Sequence, residues 1–192
     1  MGEDIKYTYV IRSEYSLGER TQVDLVNRQG QILREIGAYY LELERKFYRS
    51  YPKERVVIEQ FLDGKVLITG PDYGTCIEKF NDFQKRFREV FDVQFVGPKL
   101  ELVRGIQNVE KNVQFAVPEK ILEIVDKETN GKYEMNETLY VFSEAGKAKG
   151  KEIGISLAKE KKMSSRLLLK ITVSAPDRET VDRILNSLRE AE

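Results

Sequence analysis

The sequence predicts an α+β protein made of two tandem repeats, each with a strand, a helix, several antiparallel strands and a second helix. Residues 65–72 align without gaps on residues 170–177, and the pairs that follow keep the same offset of 105 positions. Both halves also alternate β-branched runs with apolar residues at helical spacing. We therefore expect repeats in residues 1–97 and 98–192, with the helices on one face of an antiparallel sheet. Two small domains hinged near 97–98 are the alternative.

Composition narrows the class of protein. The chain has 192 residues, of which 41% are hydrophobic and 33% charged, as expected for a folded, soluble protein. Thirty-two basic residues balance thirty-two acidic ones, so bulk charge gives no attraction to nucleic acid. One cysteine excludes an internal disulfide, and no apolar stretch is long enough to span a membrane, so we expect a cytoplasmic protein. Abundant Lys and Glu without His or Trp is a composition found in thermophilic proteins.

The first quarter of the chain is predicted to form a strand and then a long helix. Aromatic and β-branched residues dominate residues 5–15, which is typical of a strand. Residues 16–30 fit either a second strand or an early helix. Apolar side chains then recur at spacings of three and four from Ile32 to Phe47, which predicts an amphipathic helix that ends before Pro52.

A hairpin and a second helix complete the first half. Residues 55–61 and 65–70 flank a short loop in which Gly64 supplies the positive φ that a tight turn needs. Thr69-Gly70-Pro71-Asp72 then marks a helix N-terminus. The predicted buried stripe of this helix is Cys76, Phe80, Phe83, Phe87 and Val90. Because Cys76 aligns with Val181 of the other repeat, we interpret it as a core residue and not as a reactive thiol.

The second half is predicted to follow a similar order. A strand at residues 93–96 precedes Gly97-Pro98, and a helix opened by Pro118 stops near residue 130. The further predicted strands are 113–117, 138–142, 152–157 and 166–174. The last helix carries Val181, Ile184, Leu185 and Leu188 on one stripe.

No catalytic site emerges from the sequence. The absence of histidine removes Ser-His and Cys-His pairs and the commonest metal ligand. Gly150-Lys151 is followed by Glu152 and preceded at the required position by Ala145, so the phosphate-loop pattern fails. Asp72 and Asp177 occupy equivalent positions that helix capping explains. We therefore predict a non-catalytic protein with no cofactor and no metal.

A basic segment stands out against the neutral chain. Residues 146–170 contain eight basic and two acidic side chains, a net charge of +6. Loops at 146–151 and 159–165 would flank one strand, where a nucleic-acid backbone could bridge them with a salt-sensitive affinity. The alternative is that these lysines keep strand edges and loops soluble. The predicted basic contacts are Lys147, Lys149, Lys151, Lys159, Lys161, Lys162 and Arg166.

The segment from Phe61 to Gly70 resembles the Phe-x-x-Gly-Lys hairpin, ending in Thr-Gly before a long helix, of the TATA-box-binding protein family. That family is also an internal duplication with a saddle-shaped sheet, so the resemblance implies this architecture. It implies that Phe61 belongs to the pair of aromatics that wedges between base steps in the minor groove. Residues 141–147 look like a degraded second copy, which makes Phe142 the counterpart. The family's Phe-Pro-Gly-(Leu/Val)-Tyr-Arg strand has no match in either half.

These observations predict a nucleic-acid-interacting module that uses a sheet face and a basic hairpin region. The alternative is a protein–protein interaction or scaffold module without nucleic-acid binding. An aromatic cluster on or just after the predicted long helix is expected to pack on the sheet, although stacking on bases is a second interpretation. This cluster is Tyr39, Tyr40, Phe47, Tyr48 and Tyr51. An enzyme ranks last, and the oligomeric state stays open.

Overall fold

The computed structural model contains helices and antiparallel strands arranged in two compact units. It describes residues 4–16, 21–112, 114–129, 133–135, 139–143, 153–161 and 165–191. The N-terminal unit comprises Thr8–Glu101, and the C-terminal unit comprises Met1–Tyr7 with Leu102–Glu192. None of the helices in the described ranges is long and apolar enough to cross a membrane.

The N-terminal unit is a sheet whose strands follow the order β2-β3-β4-β5-β1-β6. The pairs β2–β3, β3–β4, β4–β5 and β5–β1 are antiparallel. Its elements are β1 (Lys6–Ser16), α1 (Thr21–Asn27), α2 (Gln29–Ile36), β2 (Tyr39–Leu41), β3 (Lys46–Tyr51), β4 (Val56–Phe61), β5 (Lys65–Gly70), α3 (Tyr73–Val90) and the beginning of β6 (Gln94–Asn112). The predicted hairpin at 55–70 and the helix after it are therefore confirmed.

One face of this sheet forms the core of the N-terminal unit. Ile11, Ile58 and Ile68 are buried in one cluster with Phe80 and Phe83 of α3. Buried side chains of α1 and α2 join the same cluster. Because successive residues of a strand point to opposite faces, the alternate positions lie on the other side of the sheet. We call that side the open face.

The predicted helix from Ile32 to Phe47 is confirmed only as far as Ile36 and is wrong beyond it. The helix ends at Ile36, because Gly37 adopts a left-handed backbone (φ 74°) and its N–H caps the carbonyls of Ile32 and Leu33. β2 and β3 follow, and Pro52 lies in the turn between β3 and β4. The ambiguous region before it contains α1, so the helical interpretation is the correct one for its described residues.

The C-terminal unit is a second antiparallel arrangement in the order β6-β10-β9-β8-β7. Its elements after β6 are α4 (Glu119–Thr129), β7 (Tyr133–Met135), β8 (Leu139–Ser143), β9 (Gly154–Lys161), β10 (Arg166–Ala175) and α5 (Arg178–Glu190). Residues 114–117, the described part of the predicted strand at 113–117, do not form a strand. β6 is one long strand that contains Gly97-Pro98 and ends at Asn112, whose side chain accepts a hydrogen bond from the backbone of Gln114.

The segments that align in sequence share their local structure. Asp72 caps α3 by accepting a hydrogen bond from the Thr75 N–H at 2.8 Å, and Asp177 caps α5 in the same way at 2.8 Å. The aligned stripe positions of the two helices are buried in both cases, as the sequence predicted. Cys76 is completely buried, and burial raises the pKa of its thiol to about 11. These facts confirm that Cys76 is a core residue.

Candidate nucleic-acid interface

Three aromatic side chains occupy neighbouring positions on the open face of the N-terminal unit. Tyr39 of β2 is the direct cross-strand partner of Tyr48 of β3. Tyr48 is in turn the partner of Glu59, two residues before Phe61 on β4, so Tyr48 and Phe61 are diagonal neighbours. Direct partners have Cβ atoms about 5 Å apart and diagonal ones about 7–8 Å apart. Tyr39 is 59% exposed, while Tyr48 and Phe61 are half-buried.

Two lysines flank the Phe61 ring. The Lys65 ammonium lies 4.2 Å from the ring centroid and the Lys46 ammonium 5.4 Å away. Lys46 is ion-paired with Glu44 and Glu59, and the hydrogen bonds that its ammonium donates to these carboxylates raise its pKa. Among the described residues, no carboxylate forms an ion pair with Lys65. Phe61 therefore stands between two cations, of which one already has acidic partners.

The hairpin that carries Phe61 is hydrogen-bonded to Tyr15 of β1, whose side chain is buried in the core. The buried Tyr15 hydroxyl donates a hydrogen bond to the Phe61 carbonyl, and the Tyr15 N–H donates to the Gly64 carbonyl at 2.8 Å. Gly64 has φ +99°, and a Cβ there would approach the Tyr15 carbonyl to 2.9 Å, so the turn requires glycine. Burial raises the pKa of Tyr15 to about 12, so its hydroxyl stays protonated as a donor even in alkaline solution.

The rest of the open face carries charges of both signs. Arg12 on β1 forms an ion pair with Glu14 at 3.3 Å, and Glu59 lies between the aromatic positions. Aliphatic side chains, among them Val57 and Leu67, fill the positions between the charges. The face can therefore offer ring stacking and a few charged contacts, but it is not a uniformly basic surface.

The hairpin aromatic has no aromatic counterpart in the C-terminal unit. Val66 and Ile171 align in sequence, so their strand partners Gln60 and Leu157 occupy equivalent positions. The next residue along β9 is Ala158, which therefore takes the place of the aromatic. The strand pairing therefore shows that Ala158 is the counterpart of Phe61, and not Phe142 as the sequence had predicted.

Phe142 instead belongs to β8, where its Cα partner is the buried Ile155 of β9. Since Ile58 is the equivalent of Ile155, β8 corresponds to β3 and not to the hairpin strand β4. The Phe142 side chain lies outside the described part of the structure. Its contact with nucleic acid stays a prediction.

The structure separates the predicted basic residues that it describes. Lys159 is the partner of the buried Leu169, and its ammonium donates to the Phe115 carbonyl at 3.1 Å. Arg166 is exposed and pairs with Glu110 at 3.5 Å. Because Leu169 and Arg166 differ by three positions on β10, Lys159 and Arg166 lie on opposite faces of the sheet.

The other predicted basic residues are only partly visible. Lys161 lies in β9 as the partner of Leu167, and nothing of its side chain is described. Lys147, Lys149, Lys151 and Lys162 lie outside the described residues. The same described ranges contain no group of three or more His, Cys, Asp or Glu residues that could hold a metal ion.

Sequence reasoning missed the contribution of Tyr39 and Tyr48 to this surface. The helical spacing places Tyr39 on a helix stripe and Tyr48 next to it, whereas β2 and β3 place both side chains on the open face. Tyr40 and Phe47, their strand neighbours, pack against each other on the core side with ring centroids 5.0 Å apart and ring planes tilted by 43°. The density of aromatic residues in 39–51 was the available indication of strand structure.

Comparison with known proteins gives a structural likeness only. No family model matches the chain, and no curated protein matches its sequence. A solved structure described as "Methanococcus jannaschii TBP" superposes with a TM-score of 0.53, covering 98% of this chain and 99% of that chain. This chain has a TBP-like fold. The sequence identity over that alignment is 13%, so the likeness concerns the fold and not the function.

Proposed function

We propose that this chain is a non-catalytic nucleic-acid-interacting module that binds through the open face of its N-terminal unit. The observation that carries the proposal is Phe61, which stands half-exposed between the ammonium groups of Lys46 and Lys65. An aromatic ring can stack on a base while neighbouring lysines contact phosphates. The name of the TBP neighbour refers to binding of the TATA box by that protein, which agrees with this choice of ligand class.

The proposal includes the finer architecture predicted from the sequence. We propose that residues 1–97 and 98–192 derive from one duplicated strand–helix–strands–helix unit with helices on one sheet face. The aligned caps Asp72 and Asp177 support a common origin. The basic region would add contacts to phosphates, of which Arg166 is the described residue that is exposed. Phe142 and the lysines of residues 146–162 belong to the same proposal.

The experiment is binding of labelled duplex and single-stranded DNA and RNA across a salt series. We expect affinity to fall as salt rises, because lysine–phosphate contacts release counterions. Phe61→Ala should weaken binding and leave the melting temperature near that of the wild type, since the ring is half-exposed. Tyr73→Ala is the matched control, because Tyr73 is an exposed aromatic of α3 and not of the open face. No binding even at low salt would overturn the proposal.

A second function, docking of another protein, is favoured by the acidic residues on the same face. Glu14 and Glu59 pair with Arg12 and Lys46, and such alternating ion pairs suit a polypeptide better than a polyanion. The neighbouring β2–β3 turn also presents a fully exposed Leu43. Under this alternative, Glu59→Gln would weaken capture of a protein partner. Under the nucleic-acid proposal it would strengthen binding, because a competing carboxylate leaves Lys46.

A further inference from the structure

We infer that the ligand of the open face is a single-stranded polynucleotide whose bases stack on Tyr39, Tyr48 and Phe61. This inference rests on the proposed function and names the ligand class of the same site. The three rings come from three adjacent strands and follow one another as direct and diagonal neighbours. Sheets that bind unpaired bases use aromatic side chains in this way, with two or three bases stacked on neighbouring strands.

The accessibility of the rings fits unpaired bases. Tyr39 on the edge strand is 59% exposed, and Tyr48 and Phe61 on the next two strands are both partly exposed. Every base has a flat face that such a ring can contact, but in a duplex those faces are covered by neighbouring base pairs. A single strand can therefore use all three rings without the energetic cost of unstacking a duplex.

The charges of the open face favour one phosphate backbone over two. Duplex DNA carries about one negative charge per 1.7 Å of its axis, so a broad contact with it requires a basic surface. Here Glu14 and Glu59 accompany Arg12 and Lys46 in ion pairs, and Lys65 beside Phe61 has no such partner in the described structure. One phosphate at Lys65, next to a base on Phe61, matches this distribution.

The aromatic positions are limited to the N-terminal unit. By strand register, Glu134, Val141 and Ala158 are the residues of the C-terminal unit at the positions of Tyr39, Tyr48 and Phe61. None of the three is aromatic, so a stack of about three bases on one unit is the arrangement that the two registers support. A ligand that must be wedged open at two symmetric aromatic positions would find an aromatic side chain at only one of the two equivalent positions.

The test compares a labelled mixed-sequence DNA 12-mer with its own duplex by fluorescence anisotropy, using the full chain. We expect the single strand to bind at least tenfold more tightly. Tyr39→Ala should weaken single-strand binding by about fivefold to a hundredfold, the usual effect of removing one stacking ring. Tyr73→Ala removes a similarly exposed tyrosine (43%) from α3 and should leave the affinity unchanged.

A second measurement reports stacking directly. The chain contains no tryptophan, so Phe61→Trp introduces one indole at the proposed base contact. Its emission should be quenched by the single strand and much less by the duplex. Tighter binding of the duplex, or Tyr39→Ala matching Tyr73→Ala, would overturn this inference and leave the proposed function standing. Absence of binding by both ligands at low salt would instead overturn the proposed function itself.

Discussion

Gln60 is a buried polar side chain whose replacement should stabilise the protein. It lies on the core side of β4 between Phe47 and Val66 and is 0% exposed. Its amide nitrogen and oxygen make no hydrogen bond of good geometry in the described structure, although the amide lies near enough to the Tyr15 hydroxyl to lower the pKa of that phenol. An amide buried without a partner costs about 1–3 kcal/mol on the scale of protein mutations. The equivalent position of the C-terminal unit is the buried Leu157, so Gln60→Leu introduces a side chain that the same register already accommodates.

We therefore expect Gln60→Leu to raise the free energy of unfolding by about 1–3 kcal/mol. In a chain of this length each kcal/mol corresponds to roughly 2–4 °C in melting temperature. Urea denaturation followed by circular dichroism would measure the change, with an unaltered m-value showing that only stability has changed.

The reciprocal variant Leu157→Gln is the matched control and should be clearly destabilised, because it buries an amide among apolar side chains. If Gln60→Leu is itself destabilised, the Gln60 amide has a native partner. The buried Tyr15 hydroxyl or a bound water would then be the candidate, and the reasoning from an unpaired amide would be refuted.

Four further predictions concern the helix caps and the core. Asp72→Ala and Asp177→Ala should each lower the free energy of unfolding, measured with denaturant, by about 1 kcal/mol. Variants as stable as the wild type would show that the caps contribute nothing. Hydrogen bonds donated by Thr75 lower the pKa of Asp72 in the folded protein. The Asp72 carboxylate therefore stabilises the fold above its pKa in the unfolded chain, and this stabilisation is lost as the pH falls through its pKa in the folded protein. Asp72→Asn should not show this loss when stability is measured against acid pH. Burial of Cys76 predicts that a thiol reagent modifies the native chain far more slowly than the urea-unfolded chain, and comparable rates would contradict it. Gly70→Ala should destabilise, since the new Cβ would lie 2.5 Å from the Cys76 sulfur, and Cys76→Ala should restore part of the loss in a thermal melt.

Local sequence patterns were sufficient to predict the secondary structure where interactions between nearby residues determine it. The hairpin around Gly64 and the two helices capped by Asp72 and Asp177 depend on turn residues, caps and a helical stripe, all within about twenty positions. The repeat added independent support, because each aligned position had to satisfy the same local role twice. It also decided the role of Cys76 through its alignment with Val181.

The sequence predictions were wrong where two patterns coincide or where strand pairing determines the position of a residue. Apolar residues between Ile32 and Phe47 satisfy the helical spacing, but Gly37 ends the helix and the aromatic density beyond it favours strands. The sequence match between Phe142 and Phe61 depends on the glycine and lysine residues that follow each of them. Strand register is set by non-local pairing and assigns Ala158 instead, which no local pattern could have shown.

The central claim is that the open face of the N-terminal unit binds nucleic acid. Its most direct test is an NMR titration of the isotopically labelled full chain with a DNA 12-mer. We predict that the largest shifts occur at the ring resonances of Tyr39, Tyr48 and Phe61 and at the side-chain methylenes of Lys65. The rings of the core-side Phe47 and of Tyr73 on α3 should barely shift. Shifts confined to the outer surface of α3, or no shifts at low salt, would contradict it.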